Sequence, residues 1–352
     1  MTPGVPDTGF AVRGVIEGFY GRLWTWPERE RVVDVVGEAG FTTYAYAPKE
    51  DRFQNAGWRE PYPAEALRRM RGLADRSAAL GMELWIGLRP VGISYADPVD
   101  VATVADKLAR YLDAGAARLV LLADDIPGTL EAASAGRFTQ LVDAHLFLID
   151  EVLRRLDLDP ARLVFVPTDY HGFGTPYLER IGALVPLEVD VCWTGADVFV
   201  PGIEPPEAER IGALLRRPPL IWDNYPVNDE PERHDLRLGP IRGRDPQLTR
   251  ATRGFLVNPA LEPEATLVPL LTWAEYLADP VGYDPDGAWR RALVIVTGSD
   301  ADADLVATLV AGLDRSIIDQ RWQRPPAAQL ERARAGLPAL RNRALAEDLG
   351  AF

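Results

Sequence analysis

Cysteine is almost absent from this chain: Cys192 is the only one in 352 residues. A single thiol excludes an internal disulfide framework and a cysteine-rich zinc site. Histidine is nearly as scarce, at three residues, His145, His171 and His234. Their spacing matches no metal-ligand pattern, so no metal and no cofactor is expected. Positive charge is short as well. The 38 Lys and Arg residues stand against 52 Asp and Glu, for a net charge of −14. Such a chain is a poor match for nucleic acid or an anionic membrane surface. No apolar run approaches the roughly 20 residues of a membrane span. The start, "MTPGVPDTGFAVRG", lacks a basic stretch followed by an apolar core, so a cytoplasmic address without a signal peptide is expected. The nucleotide-binding GxGxxG and the hydrolase GxSxG are missing too.

What is present is apolar residue, 47% of the chain, enough for a large core. Eight short apolar runs recur: 13–20, 42–48, 83–90, 118–125, 162–170, 189–195, 219–227 and 253–259. Amphipathic stretches such as 63–80, 98–114 and 136–156 separate them. Strand and helix alternating eight times predicts an α/β fold, the (β/α)8 TIM barrel. An open doubly wound sheet is the rival, weakened by "EGFYGRLW" after the first strand, which is no phosphate loop. Past residue 280 the strands stop. Segments 301–320 and 326–348 read as helical, with "RPP" breaking them. The expected division is a catalytic barrel over 1–280 and a short C-terminal helical appendage over 281–352.

Barrel chemistry sits at the C-terminal ends of the strands. Strand one ends in "EGFYG" and strand two in Lys49. Strand four ends in the doublet Asp124–Asp125, and strand five in Asp169, Tyr170 and His171. Strand six ends near Trp193. Strand seven carries Trp222, Asp223 and Asn224, then Asn228 and Asp229; strand eight ends in Asn258. Carboxylates, amides, a phenol, an ammonium and indoles around one mouth suit a sugar, whose hydroxyls need polar partners and whose ring faces need aromatic ones. Each residue also has a plainer role: a lone Asp caps a helix, an Asn satisfies a loop, a Trp packs the rim. The doublet resists that, because one cap needs only one carboxylate. Adjacent strand side chains point to opposite faces, so both acids reach one site only if the strand has ended and the backbone turns, as "IPG" suggests. Neighbouring carboxylates also push one pKa up, which makes a proton donor at neutral pH. Lys49 is notable because arginine does nearly all the basic work. The only other lysine is Lys107.

The stretches "GVIEGFYGRLW", "YAYAPKED", "WREPYP", "LLADDI", "VPTDY", "CWTG", "IWDNYPVND", "LGP" and "LVNP", in this order, resemble the catalytic domain of glycoside hydrolase family 84. These are β-N-acetylglucosaminidases, including protein O-GlcNAcases and bacterial hyaluronidase-like enzymes. The resemblance runs from about residue 13 to 276. It implies a retaining exo-hydrolase acting on terminal β-linked GlcNAc of a glycoconjugate or an O-GlcNAc protein. The substrate's own acetamido oxygen would attack the anomeric carbon to give an oxazoline, an exception to the two-carboxylate scheme. By the same resemblance, Asp124 would hold the acetamido N–H, and Asp125 would serve as acid and then base. Gly18 (through its backbone), Lys49, Asp229 and Asn258 would bind hydroxyls. Tyr170 would bond near the acetamido oxygen, Asn224 near the acetamido group and Asp125, and Trp222 would wall the acetamido pocket. One departure stands out: "LRPVGISY" follows strand three, where relatives more often carry a Ser-Pro-Gly turn. Two other readings stay open on the residues alone: a non-catalytic GlcNAc-binding protein on a glycosidase scaffold, and a metal-dependent hydrolase using Asp124, Asp125 and His171.

Overall fold

The structure, a computed structural model, describes residues 9–229, 232–313, 318, 325–350 and 352. Residues 1–8 of the expected barrel segment lie outside the described residues, as does most of the stretch after 313 in the expected 301–320 helix. Eight strands are formed: β1 (Val12–Glu17), β2 (Thr43–Tyr46), β3 (Glu83–Leu88), β4 (Arg118–Leu122), β5 (Leu163–Val166), β6 (Asp190–Trp193), β7 (Leu220–Asp223) and β8 (Gly254–Val257). They close in sequence order into one parallel barrel. Closure is made by β1 on β8, with Val12 opposite Gly254 and Val15 opposite Val257.

The sequence explains why these segments become buried parallel strands. They are rich in Val, Ile and Leu and carry little charge, as strands covered on both faces require. Helices cover them outside, and their starts are encoded locally. Thr25 and Glu28 form a capping box at the head of helix Trp26–Glu38. Asp97 caps Pro98–Asp113, and Thr175 caps Pro176–Leu184, each followed by a proline in the first turn. A cap of this kind contributes about 1 kcal/mol, and proline there forfeits no helical hydrogen bond.

Alternation along each strand sorts two cores. Ile16, Ala45, Trp85, Val120, Leu122, Val164, Val166, Cys192, Leu220, Trp222 and Leu256 belong to one buried cluster inside the barrel. Their neighbours Val15, Tyr44, Ile86, Leu121, Phe165, Trp193, Ile221 and Val257 belong to the larger cluster under the helices. The inward series continues past the strand ends at intervals of two residues: Gly18 after Ile16, Asp124 after Leu122, Asn224 after Trp222, Asn258 after Leu256. The interior is therefore apolar and packed through its middle layers and turns polar again at the C-terminal mouth.

After β8 the helix Leu267–Ala278 lies almost wholly buried, and Pro285–Thr297 packs along it. Among the described residues three further helices follow: Asp300–Leu313, Ala327–Gly336 and Arg343–Leu349. The last of them, with its cap Asn342, reaches back to the barrel. The Asp348 carboxylate accepts from the backbone N–H of Glu264 and Ala265 at 2.8 and 2.9 Å. Asn342 donates to Glu264 Oε1 and to the Val296 carbonyl. Among the described residues, no helix is long and apolar enough to cross a membrane.

Candidate active site

At the C-terminal mouth of the barrel lies a cavity of about 370 Å³. Its walls hold Gly18, Lys49, Asp124, Asp125, Tyr170, Trp222, Asn224, Asp229 and Asn258, all nine residues singled out from the sequence. Other members of the polar strand-end set lie elsewhere. Trp193 is buried against the helices and donates from Nε1 to the Gly172 carbonyl at 3.0 Å. It thereby braces the loop that carries Tyr170, together with Thr194, whose N–H donates to the Tyr170 carbonyl at 2.9 Å. Asp223 turns away into a buried ion pair with Arg244 at 2.8 Å. His145 is buried between the hydroxyls of Tyr95 and Tyr177, and desolvation lowers its pKa to about 3, so it is a neutral packing group.

The doublet resolves as a turn. β4 ends at Leu122, Ala123 still bonds Val166, and Asp125 then takes a left-handed backbone with φ 51°. That conformation costs a non-glycine residue roughly 1–2 kcal/mol, less for Asp than for most. It brings two adjacent carboxylates to the same cavity. Their environments differ. Asp124 is buried and ion-paired through Oδ2 with the buried Lys49 ammonium; its Oδ1 is buried with no hydrogen-bond partner. Lys49 also lies over the Trp222 ring at 5.5 Å and the Tyr20 ring at 5.9 Å. Asp125 faces the open mouth and accepts from two phenols, Tyr20 at 2.8 Å and Tyr170 at 2.9 Å.

This corrects one expectation. The repulsion within the doublet does not raise Asp125 here. Partial burial pushes its carboxyl up, but Lys49, the two phenol hydrogen bonds and Arg89 outweigh that and hold it below the usual carboxylate range. The ammonium after β2 and the phenols after β1 and β5 are remote in sequence, so neighbour repulsion alone misjudges the sign. Both phenols are correspondingly harder to ionise, through burial and the Asp125 charge.

Opposite the doublet stands a self-satisfied belt. Asn224 Oδ1 accepts from Trp222 Nε1 at 2.9 Å and from Asn258 Nδ2 at 3.0 Å. Asn258 Oδ1 accepts from the Gly18 N–H at 3.1 Å, and Asn224 Nδ2 donates to the Val198 carbonyl. Asn224 thus bonds to the belt rather than to Asp125. The belt fixes the Trp222 indole, and glycine at 18 is required beside it: a Cβ there would lie 2.1 Å from Trp222 Cζ2. Asp229 accepts from the Tyr20 N–H at 2.8 Å, and its burial raises its pKa.

Sequence reasoning missed four contributors. Tyr20 links Asp229 through its backbone to Asp125 through its hydroxyl. Arg89, two residues past the inward Gly87, donates to the Tyr20 hydroxyl at 3.0 Å. The segment Asp197–Phe199 and Glu232 complete the rim. Continuing the two-residue alternation beyond Trp85 and Gly87 would have pointed to Arg89; nothing local marks the others. Among the described residues, no group of three or more His, Cys, Asp and Glu is arranged to hold a metal ion. The arrangement offers one carboxylate fixed beside a cation with an unmet acceptor, one carboxylate at the opening held by two phenols, and an aromatic wall.

Comparison with known proteins agrees with that chemistry. The family described as NAGidase, beta-N-acetylglucosaminidase, matches residues 13–310. Protein O-GlcNAcase from Rattus norvegicus and its Mus musculus counterpart are each 31% identical over 271 residues. Those matches take in 75% of this chain and 29% of theirs, so the chain spans less than a third of these curated relatives. Among solved structures, a mutant of the Thermobaculum terrenum O-GlcNAc hydrolase superposes with a TM-score of 0.85 at 27% identity, covering 94% of this chain and 75% of that one. CpGH84B gives 0.80 at 25% identity, covering 97% and 65%.

Proposed function

The chain belongs to the β-N-acetylglucosaminidase family, glycoside hydrolase family 84, and from that membership we propose that it is a retaining exo-β-N-acetylglucosaminidase, O-GlcNAcase-like in its reaction. The observation that carries this reading is the split environment of Asp124 and Asp125. A buried carboxylate oxygen without a partner is costly, by about 1–3 kcal/mol or more for a charged group. Asp124 Oδ1 is such an atom, in a residue that lines the cavity. An acetamido N–H is the donor it lacks. The cavity of about 370 Å³ is near the small end of the roughly 300–1,000 Å³ range of ligand sites, which suits one terminal sugar.

In the proposed reaction the acetamido oxygen bonds to C1 while the C1–O bond to the aglycone breaks. Asp125 gives its proton to the departing oxygen. Asp124 accepts the amide N–H and offsets the positive charge that grows as the oxazoline closes. Water then attacks C1, loses its proton to Asp125, and the oxazoline reopens with net retention. The nucleophile is part of the substrate, so placement and charge stabilisation supply most of the acceleration. Trp222, held by Asn224, walls the acetamido methyl. Gly18, Lys49, Asp229 and Asn258 take ring hydroxyls. Tyr170 transfers its hydrogen bond from Asp125 to the acetamido oxygen. Losing that donor raises the Asp125 pKa when substrate arrives, which turns the carboxylate of the free enzyme into the acid the first step needs. In this reading residues 1–280 carry the chemistry, and Asn342 and Asp348 of the 281–352 region brace the segment after β8.

Hydrolysis of an aryl β-N-acetylglucosaminide, with the product anomer followed by NMR, tests this directly. Release of the β-anomer first is expected, with a rate that falls as the acetamido methyl is fluorinated. Binding of GlcNAc without turnover would instead favour a carbohydrate-binding protein. Loss of turnover in EDTA would favour the metal-dependent hydrolase.

A further inference from the structure

Arg89 is unexplained by the reaction as described. It follows β3, whose inward series runs Trp85, Gly87, Arg89, and its guanidinium is held on two sides. Nε donates to Asn55 Oδ1 at 2.8 Å, and Asn55 is itself buried and anchored to the Pro48 and Asp51 carbonyls. Nη1 donates to the Tyr20 hydroxyl at 3.0 Å. The backbone is fixed as well, the Arg89 N–H donating to the Gln54 carbonyl at 2.9 Å. The Tyr20 hydroxyl has one proton to give, and with its lone pair taken by a cation that proton goes to Asp125. A charged donor strengthens the next bond in such a chain.

We propose that Arg89 is a positioning residue for the general acid: it orients the Tyr20 phenol onto Asp125 and thereby sets the acidity at which Asp125 exchanges its proton. The assignment of Asp125 as acid rests on the proposed function; the Arg89–Tyr20–Asp125 chain does not. The groups facing Asp125 are Lys49 after β2, Asp124 beside it, Tyr20 after β1, Tyr170 after β5 and Arg89 after β3; Asp229 holds the Tyr20 backbone from the far side, and Asp197 lies on the rim. Lys49 is already engaged by Asp124, and Tyr170 is the donor that substrate withdraws. Arg89 acts through the one donor that stays. Its charge keeps Asp125 a stronger acid at every stage of the cycle, and it confines the active protonated form of the free enzyme to lower pH.

The primary test needs no turnover: the titration of the Asp125 Cγ resonance in aspartate-labelled protein, assigned with Asp125→Asn. Arg89→Gln should raise the midpoint by about half a pH unit, roughly threefold in protonated fraction. Arg89→Lys, which keeps the charge but not the two-sided fork, should shift it less. Tyr20→Phe should raise the midpoint alone and shrink the added effect of Arg89→Gln. The same displacement should appear in the basic limb of kcat/KM for an aryl substrate with a poor leaving group. A folded Arg89→Gln protein whose Asp125 midpoint is unmoved overturns the proposal, as does a full effect of Arg89→Gln that persists in the Tyr20→Phe background. Should Arg89→Gln not fold, Arg89→Met, which retains the packed stem, carries the same expectation. A wild-type protein that titrates as expected and hydrolyses no GlcNAc substrate would overturn the proposed function and leave the positioning chain standing.

Discussion

The two ends of the barrel hold buried charge in opposite ways. At the N-terminal end Asp190, opening β6, is shared between Arg118, opening β4, at 2.7 Å and Arg253, just before β8, at 3.0 Å. Trp85 lies against the Arg118 guanidinium at 4.5 Å. There one carboxylate is ion-paired with two guanidinium groups, although Asp190 Oδ2 and Arg118 Nε make no hydrogen bond. At the C-terminal end five acids, Asp124, Asp125, Asp197, Asp229 and Glu232, line one cavity whose single cationic lining residue among the described residues, Lys49, is paired to one of them. One Asp124 oxygen has no partner, and Asp229 is kept a poor acid by burial. The N-terminal plug sets two cations against one acid, whereas the mouth sets one cation against five and leaves negative charge for a ligand. The difference predicts that substitutions at the two ends will separate rate from stability.

The sharpest separation is at Asp125. Asp125→Asn should lower turnover of substrates with poor leaving groups by about 10²–10⁴, the usual worth of a general acid, and of activated aryl substrates much less. Its unfolding midpoint should fall only slightly, because the ionised Asp125 is favoured in the folded chain by Lys49, the two phenols and Arg89. Equal losses on both substrate types would place the acid elsewhere. Asp190→Ala is the mirror test. It strands Arg118, 11% exposed, without its carboxylate, and removal of one partner from a buried pair costs about 3 kcal/mol. Urea unfolding should show that loss while kcat/KM per folded molecule is unchanged. A variant losing activity without stability would show that the two ends are coupled.

How far the sequence revealed these ends follows from their physics. All eight strands were legible because parallel barrel strands are apolar runs between capped helices, and their order followed from alternation alone. The mouth was legible where function extends the strand pattern: Asp124, Asn224 and Asn258 each sit two residues past an inward apolar side chain. The pKa balance was not legible. It depends on Lys49, Tyr20 and Tyr170 meeting Asp125 from three different strand ends, and no spacing encodes that. Composition hid Arg89, one arginine in a chain that uses arginine almost everywhere; only its place two residues past the inward Gly87 marked it.

Gly18→Ala probes the mouth at intermediate size. Its added methyl meets the Trp222 indole, which Asn224 and Asn258 hold from behind, so the ring has to leave its seat or the loop has to move. Overpacking of this kind costs about 1–3 kcal/mol. It should fall mainly on substrate binding, as a rise in KM and a change in Trp222 fluorescence. An unchanged KM would mean that the wall does not shape the sugar pocket.

The smallest effect concerns Asp229 and carries the comparison into pH. Burial raises its carboxyl pKa in the folded chain, so folding favours the protonated form. The stability from this group is fully present below the unfolded carboxylate pKa, near about 4, and is lost as pH rises through the folded value. At neutral pH the ionised Asp229 is therefore a liability kept at the mouth. Asp125 runs the other way: its folded pKa is depressed, so its contribution is present above the unfolded value and is lost as pH falls through the folded one. Asp229→Asn retains an oxygen to accept the Tyr20 N–H and removes the charge. Its unfolding free energy at pH 7 should exceed the wild type slightly, and the gain should vanish by about pH 4. Binding of the sugar should weaken over the same range, since an amide is a poorer acceptor for hydroxyls than a carboxylate. A gain that persists undiminished in acid would assign the effect to packing and remove Asp229 from the group of charges held in readiness for a ligand.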